Sequence, residues 1–440
     1  MNRPAANTGA SRAGFCAVAM TLALAAGAAE LPDRAAAIHM GVATCATSQC
    51  HGSAAPRDGS NVLQNEYVTW TREDPHSGAY DTLGGAESRA IARRLGLQDA
   101  TSAAICLDCH ADNVSPARRG ERFQLSDGVG CEACHGGAEH WLSTHYNVPA
   151  VDHEANVAAG MYPTADVVAR AELCLSCHLG TADKFATHRI MAAGHPRLTF
   201  ELDTFSELWQ HAGRQPHYRI DEDYVARKGS IDHVTAWASG VIAEARQRMR
   251  LVAGNVFDGD GLFPELGLYD CHACHRSMKS VDWRALPRHG GAGPGTPFLN
   301  DGALVMVLAL VSAIEPGRAE RFENALVALH VAGGRDAARV RDAARQMDSI
   351  LAGLQSRVTA AALAGRERAL LRELLETGAA GNYLDYASAE QAFMAVQMLV
   401  FELGGASLAA KLEPLGDALD DDERFRPATF ARLLAELGDN

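Results

Sequence analysis

Aromatic side chains are scarce: Phe, Trp and Tyr make up 6% of the 440 residues. The large flat surfaces of any core must therefore come from elsewhere. No period-two apolar alternation of useful length occurs, which argues against a β or α/β fold and for a mainly α one. No apolar run is long enough to span a bilayer, and the strongest one after the N-terminus, Ala303 to Ile314, is well short. Basic residues are in deficit, with 40 Lys and Arg against 54 Asp and Glu, a net charge of −14. That balance argues against a nucleic-acid partner and suits basic partners or simple solubility. Beyond Cys274 there is no cysteine at all.

The cysteines that are present follow one rule. They occur as Cys45-x4-Cys50-His51, Cys106-x2-Cys109-His110, Cys131-x2-Cys134-His135, Cys174-x2-Cys177-His178 and Cys271-x2-Cys274-His275. The only other one is Cys16. C-x-x-C-H is the attachment signature of c-type haem, in which two thiols form thioethers to the porphyrin edge and the adjacent histidine reaches the iron. Zinc sites of four thiolates would leave a fifth pair open and give no reason for a histidine after each pair. A disulfide framework is not needed by a chain this long, and five thioredoxin-like motifs would be unusual. The four-residue spacer of the first motif can loop out and still present both sulfurs. Five covalent haems are expected, with His51, His110, His135, His178 and His275 as proximal iron ligands. Porphyrins would supply the flat apolar surface that the few aromatics do not.

Residues 1–29 read as a secretory signal peptide. Arg3 and Arg12 precede or begin a small, apolar stretch from Ala13 to Ala29, with no acidic residue. Its removal would leave the chain more acidic still. A periplasmic protein with no transmembrane segment in the mature chain is expected, which suits covalent haem. Residues 30–286 read as a loop-rich pentahaem domain, with helices near 86–97, 102–110, 164–178, 182–194 and 235–253. Each motif is expected to start a short helix. Trp237, Val241 and Ala245 mark one face of the last of these helices. Residues 287–299, with five glycines and prolines between Gly290 and Gly295, form a Gly/Pro linker. Residues 300–440 turn to Ala, Leu, Arg and Glu and read as an α-helical bundle of five to seven helices. Leu363, Leu370, Leu371, Leu374 and Leu375 share a face there, and Gly333-Gly334, Gly378 and Gly404-Gly405 act as stops.

Trp70, then Asp74-Pro75-His76-Ser77-Gly78-Ala79-Tyr80, then Gly128-Val129-Gly130-Cys131-Glu132-Ala133-Cys134-His135-Gly136-Gly137 with His145 downstream, form a further pattern. Over roughly residues 40–200 it resembles the tetrahaem cytochrome c family that accepts electrons from hydroxylamine oxidoreductase in nitrifying bacteria. The resemblance implies crossed sixth ligands: His76 on the His135 iron, and His145, with His140 as rival, on the His51 iron. It implies a downstream histidine for the fourth haem. His188 and His195, seven apart on one helical face, would serve the His178 and His275 irons, with His217 in reserve. It also implies that the second haem, on His110, lacks a sixth protein ligand. The chain departs from that family in its first spacer, its fifth motif, Gly137 where proline is typical, and its C-terminal helices.

Function then divides three ways. The first is an electron carrier between periplasmic redox partners, in which the protein orients and buries the haems. The second is an enzyme acting on a small nitrogen or sulfur compound at a five-coordinate haem, the His110 iron first. The third is a docking role for residues 300–440. Met161, Met191, His272 and the acidic run Asp420 to Glu423 are read as ordinary structural residues.

Overall fold

The computed structural model describes residues 1, 29–59, 62–146, 152–211, 222–228, 232–258, 265–275, 286–291, 293, 296–333 and 336–438. All but the ends of the expected leader, with Cys16, lies outside that set, as do His217 and Gly334. The chain is mainly helical and rich in loops. Among the described residues β pairing is limited to two isolated bridges, His39 with Arg119 and Tyr269 with Leu299.

The helices start where aspartates can cap them. Asp166, Asp232, Asp336 and Asp385 each accept a backbone N–H three residues on, opening Val167–His178, His233–Ala253, Ala337–Gln355 and Tyr386–Glu402. Two further expected helices are observed as Ala86–Leu95 and Ala104–His110. The region expected to be helical over 182–194 holds a single turn, His188–Ala192, capped by Thr187 and closed by Gly194 at φ 112°. The motifs also differ from expectation. Only the third opens an α-helix, Cys131–His135, and the fifth opens a 3-10 turn, Cys271–Ala273. The second and fourth close theirs, so that His110 and His178 are C-terminal residues.

His233–Ala253 is the centre of the molecule. Trp237, Val241 and Ala245 are buried as expected, but so is every residue from Ala236 to Ala245. It is enclosed by Val167–His178 on one side and by Gly302–Ile314 and Ala337–Gln355 on others. One apolar cluster therefore runs from Ala171 to Leu437. The change in composition at 287–299 is not a change in packing. Leu299 is buried, Arg288 and His289 are buried, and the Asp270 N–H bonds to the Phe298 carbonyl at 2.9 Å. Among the described residues after 300, the helices of twelve residues or more are Gly302–Ile314, Ala319–Gly333, Ala337–Gln355, Glu367–Ala379, Tyr386–Glu402 and Pro427–Gly438. Leu370, Leu371, Leu374 and Leu375 do line the buried face of Glu367–Ala379. Gly378 is the penultimate residue of that helix, which ends at Ala379. A Cβ there would meet Leu434 Cδ1 at 2.2 Å, so glycine permits the close approach of Pro427–Gly438. No helix among the described residues is long and apolar enough to cross a membrane.

Candidate functional site: facing histidines at the attachment motifs

The ten motif cysteines are all free of disulfides. Their thiols cluster across motifs. Cys45 of the first motif hydrogen-bonds Cys131 of the third, and Cys109 of the second hydrogen-bonds Cys177 of the fourth. Attachment points distant in sequence are therefore neighbours in space.

Four motif histidines each face a histidine from outside the motifs. Ring centres are 5.9 Å apart for His51 and His145, 6.3 Å for His110 and His195, 6.0 Å for His178 and His76, and 6.2 Å for His275 and His188. These are not direct stacks, as His289 on Phe298 is at 4.0 Å. A metal–imidazole bond of about 2 Å, with the ring centre roughly 1 Å beyond it, sets two trans imidazoles about 6 Å apart. The gaps thus fit one metal atom between each pair. The planes are near parallel in the His51 and His275 pairs, at 18° and 29°. They are near perpendicular in the His110 and His178 pairs, at 85° and 89°.

Hydrogen bonds turn the rings the right way. His51 Nδ1 lies 2.8 Å from Glu66, His76 Nδ1 2.9 Å from Asp74, His110 Nδ1 3.0 Å from the Ala79 carbonyl, and His195 Nδ1 2.7 Å from the Pro196 carbonyl. Each acceptor holds the proton on Nδ1 and leaves the Nε2 lone pair for a metal. The hydrogen bond that His51 donates to Glu66 raises the His51 pKa, and the one that His76 donates to Asp74 raises that of His76. Burial lowers those of His110 and His145, and pushes His178 down to about 4, with the His76 charge adding to it. The buried rings are therefore neutral at neutral pH, the state a metal ligand needs.

The Gly128 to Gly137 string is a packing device. Gly128, at φ 72°, would drive a Cβ to 2.8 Å from the His76 carbonyl, and Val129 N–H donates to that same oxygen at 3.1 Å. Trp70 Nε1 donates to the Val129 carbonyl at 3.2 Å. Gly137 abuts the buried His39 ring, which is itself held by Asp112 at 2.7 Å. Buried Glu132 accepts the N–H groups of Met40, Gly41 and Ala138 and pins the third motif to the segment before the first.

Residues 44–136 match the family model for cytochrome c554 and c-prime. The match takes in the first three motifs, Trp70 and His76, and covers less than half of the chain. It supports a c-type cytochrome with covalent haem and electron transfer as its chemistry. No curated protein and no solved structure matches the chain.

Several ligand assignments implied by the resemblance differ from the placements. His76, on the turn Pro75–Gly78, faces His178 at the end of Val167–His178. The His195 ring stands 6.3 Å from that of His110. His188 and His195 do not share a helical face. The helix ends at Ala192, and the positive φ of Gly194 sends His195 to the second motif while His188 meets the fifth. His145 does face His51, and its rival His140 points outward beside Glu139. Glu66 escaped the sequence reading. Its one signal is an acidic residue opening a helix fifteen positions after a motif histidine.

A partly open cleft lies between the fourth and fifth motifs, lined by His178, Met191, Cys271, His272, Tyr386 and Glu390 among others. The helices after residue 300 form one of its walls. Arg197 makes two bonds to the Glu390 carboxylate, at 2.9 and 2.8 Å, and lies over the Tyr386 ring. His272 bonds the Asp422 carbonyl at 2.9 Å, and its ring centre lies 5.9 Å from that of Tyr386. The thiol pairs, the facing imidazoles and this cavity fit covalently held haem.

Proposed function

We propose that the chain is an exported pentahaem c-type cytochrome that passes electrons between periplasmic redox proteins. The observation that carries this reading is the set of four imidazole pairs, each a motif histidine and a distant one, held about one metal atom apart. Haem supplies the one-electron iron couple; the chain supplies attachment, axial nitrogen and burial. Two imidazoles per iron keep ligation the same in both oxidation states, so little rearranges on electron transfer. Cys45 with Cys131 and Cys109 with Cys177 bring attachment points together, and the cavity joins the fourth to the fifth. Those contacts support a continuous route rather than isolated sites. The acidic surface suits basic partners.

Catalysis at the His110 iron is the weaker reading, because the His195 ring, 6.3 Å from His110, would compete with a substrate for the open position. The test is a reductive titration of the purified, full-length protein beside an intact-mass haem count. Five haems and five electrons per chain, with no carbon monoxide bound at the His110 haem, are expected. Fewer than five haems, or avid ligand binding at His110, would overturn the carrier reading.

A further inference from the structure

The helical region after residue 286 contains a buried cluster that electron transfer does not use. His289 lies in the turn Pro287–His289, Asp301 precedes Gly302–Ile314, and His330 lies near the end of Ala319–Gly333. One ligand atom from each lies within 4.8 Å of the others, and all three residues are buried.

The hydrogen-bond arithmetic of this cluster does not close. Asp301 Oδ2 is approached by three nitrogens: Arg288 Nε at 2.8 Å, His330 Nε2 at 3.1 Å and His289 Nε2 at 3.3 Å. A carboxylate oxygen has two lone pairs. Asp301 Oδ1, equally buried, has no hydrogen-bond partner, and neither do His330 Nδ1 and Arg288 Nη2, the last of which lies 3.6 Å from Asp385 Oδ2. Three donors on one oxygen and none on its twin is a poor network, and such orphaned buried atoms commonly mark an ion or water. The imidazole distances are also long for charge-assisted bonds. His39 to Asp112 and His51 to Glu66 are 2.7 and 2.8 Å in the same chain. Two ligands of a tetrahedral metal, each about 2.1 Å from it, stand about 3.4 Å apart. His289 Nε2 and His330 Nε2 lie close to that separation from Asp301 Oδ2, at 3.3 and 3.1 Å.

The charges point the same way. Asp301, Asp385 and Asp270 are buried carboxylates within electrostatic reach of one another, and one buried guanidinium, Arg288, serves them. Burial and the neighbouring carboxylates hold the Asp270 carboxyl well above the usual carboxylate range, so it keeps its proton, and Asp301 and Asp385 exceed the single Arg288 guanidinium by one negative charge for a cation to balance.

We propose that His289, Asp301 and His330 bind a structural divalent metal of the zinc type, through the two Nε2 atoms and the Asp301 carboxylate. Arg288 keeps one lone pair of Oδ2, and Oδ1 or a water completes the set. The metal ties the turn at 287–289, with its buried Arg288 and His289, to two helices. Imidazole and carboxylate donors without thiolate suit zinc over softer metals.

The test is elemental analysis of the full-length, haem-loaded protein, counting zinc and iron separately. About one zinc per chain beside the haem iron is expected. His289→Gln and His330→Gln should each lose the zinc, keep the iron and melt earlier. Zinc chloride added to metal-stripped wild type should restore about one zinc and the melting temperature. Wild-type protein that carries no zinc and takes up none saturably would overturn the proposal, whether or not the variants fold. Because iron is read on its own, failure here is distinguishable from failure of the haem reading.

Discussion

His195→Ala isolates one iron. The His195 ring stands 6.3 Å from His110, and its Nδ1 is fixed by the Pro196 carbonyl. Its segment is separately anchored, because Arg94 Nη1 donates to the Ala193 carbonyl at 2.8 Å and Arg189 Nη2 to the Leu95 carbonyl at 3.1 Å. Truncating the ring should therefore open the second haem without moving the chain around it. One haem in five should turn high-spin, about a fifth of the ferric signal, and bind carbon monoxide when reduced. A link from position 110 to 195 restrains the unfolded chain by about 4.5 kcal/mol in the chain-entropy account. That is an upper limit, since iron in an unfolded chain still meets other histidines. Ferric spectra, carbon monoxide titration and urea unfolding would be compared with His140→Ala, which should change none of them. Added imidazole should restore the low-spin spectrum. Unchanged spin state in His195→Ala, or an equal change in His140→Ala, would refute the reasoning.

Glu66→Gln removes the carboxylate that polarises His51, and the first haem should rise in potential by on the order of 50–100 mV in a spectroelectrochemical titration. Burial pushes the Glu201 carboxyl up to about 7 against hydrogen bonds from the Thr204 and Asp203 N–H groups. The folded state holds that proton more tightly than the unfolded one, so stability should fall by about 3 kcal/mol as pH rises from about 4.5 to about 7. In Glu201→Gln, urea midpoints should lose that slope, and an identical slope in both proteins would contradict it. Gly378→Ala forces a Cβ against Leu434 and Tyr383 and should cost about 1–3 kcal/mol, with iron content unchanged; a neutral result would show that the two helices can part freely.

The sequence carried the chemistry better than the geometry. Attachment cysteines and proximal histidines are local: thiol spacing and the next residue decide them. The histidines opposite them are set by tertiary packing. The exchange between His76 and its expected iron depends on where a 3-10 turn points, and the split between His188 and His195 depends on one glycine in the left-handed region. Neither is a matter of period or spacing. The helices were legible because aspartate caps and apolar periodicity are local signals. The linker was not, because glycine and proline report backbone freedom and say nothing of burial, whereas Arg288 and His289 are fixed in the core by Asp301. A change in composition likewise fails to mark a boundary when the helix His233–Ala253 is shared by both sides.

The central claim is that distant histidines clasp the irons of the first, second, fourth and fifth motifs. Electron paramagnetic resonance of the ferric, full-length protein tests it most directly. Near-parallel imidazole planes split the iron d orbitals that near-perpendicular planes leave almost degenerate. The His51 and His275 irons should therefore give ordinary rhombic low-spin signals, and the His110 and His178 irons strongly anisotropic ones. A high-spin ferric signal amounting to more than one haem per chain would contradict the account.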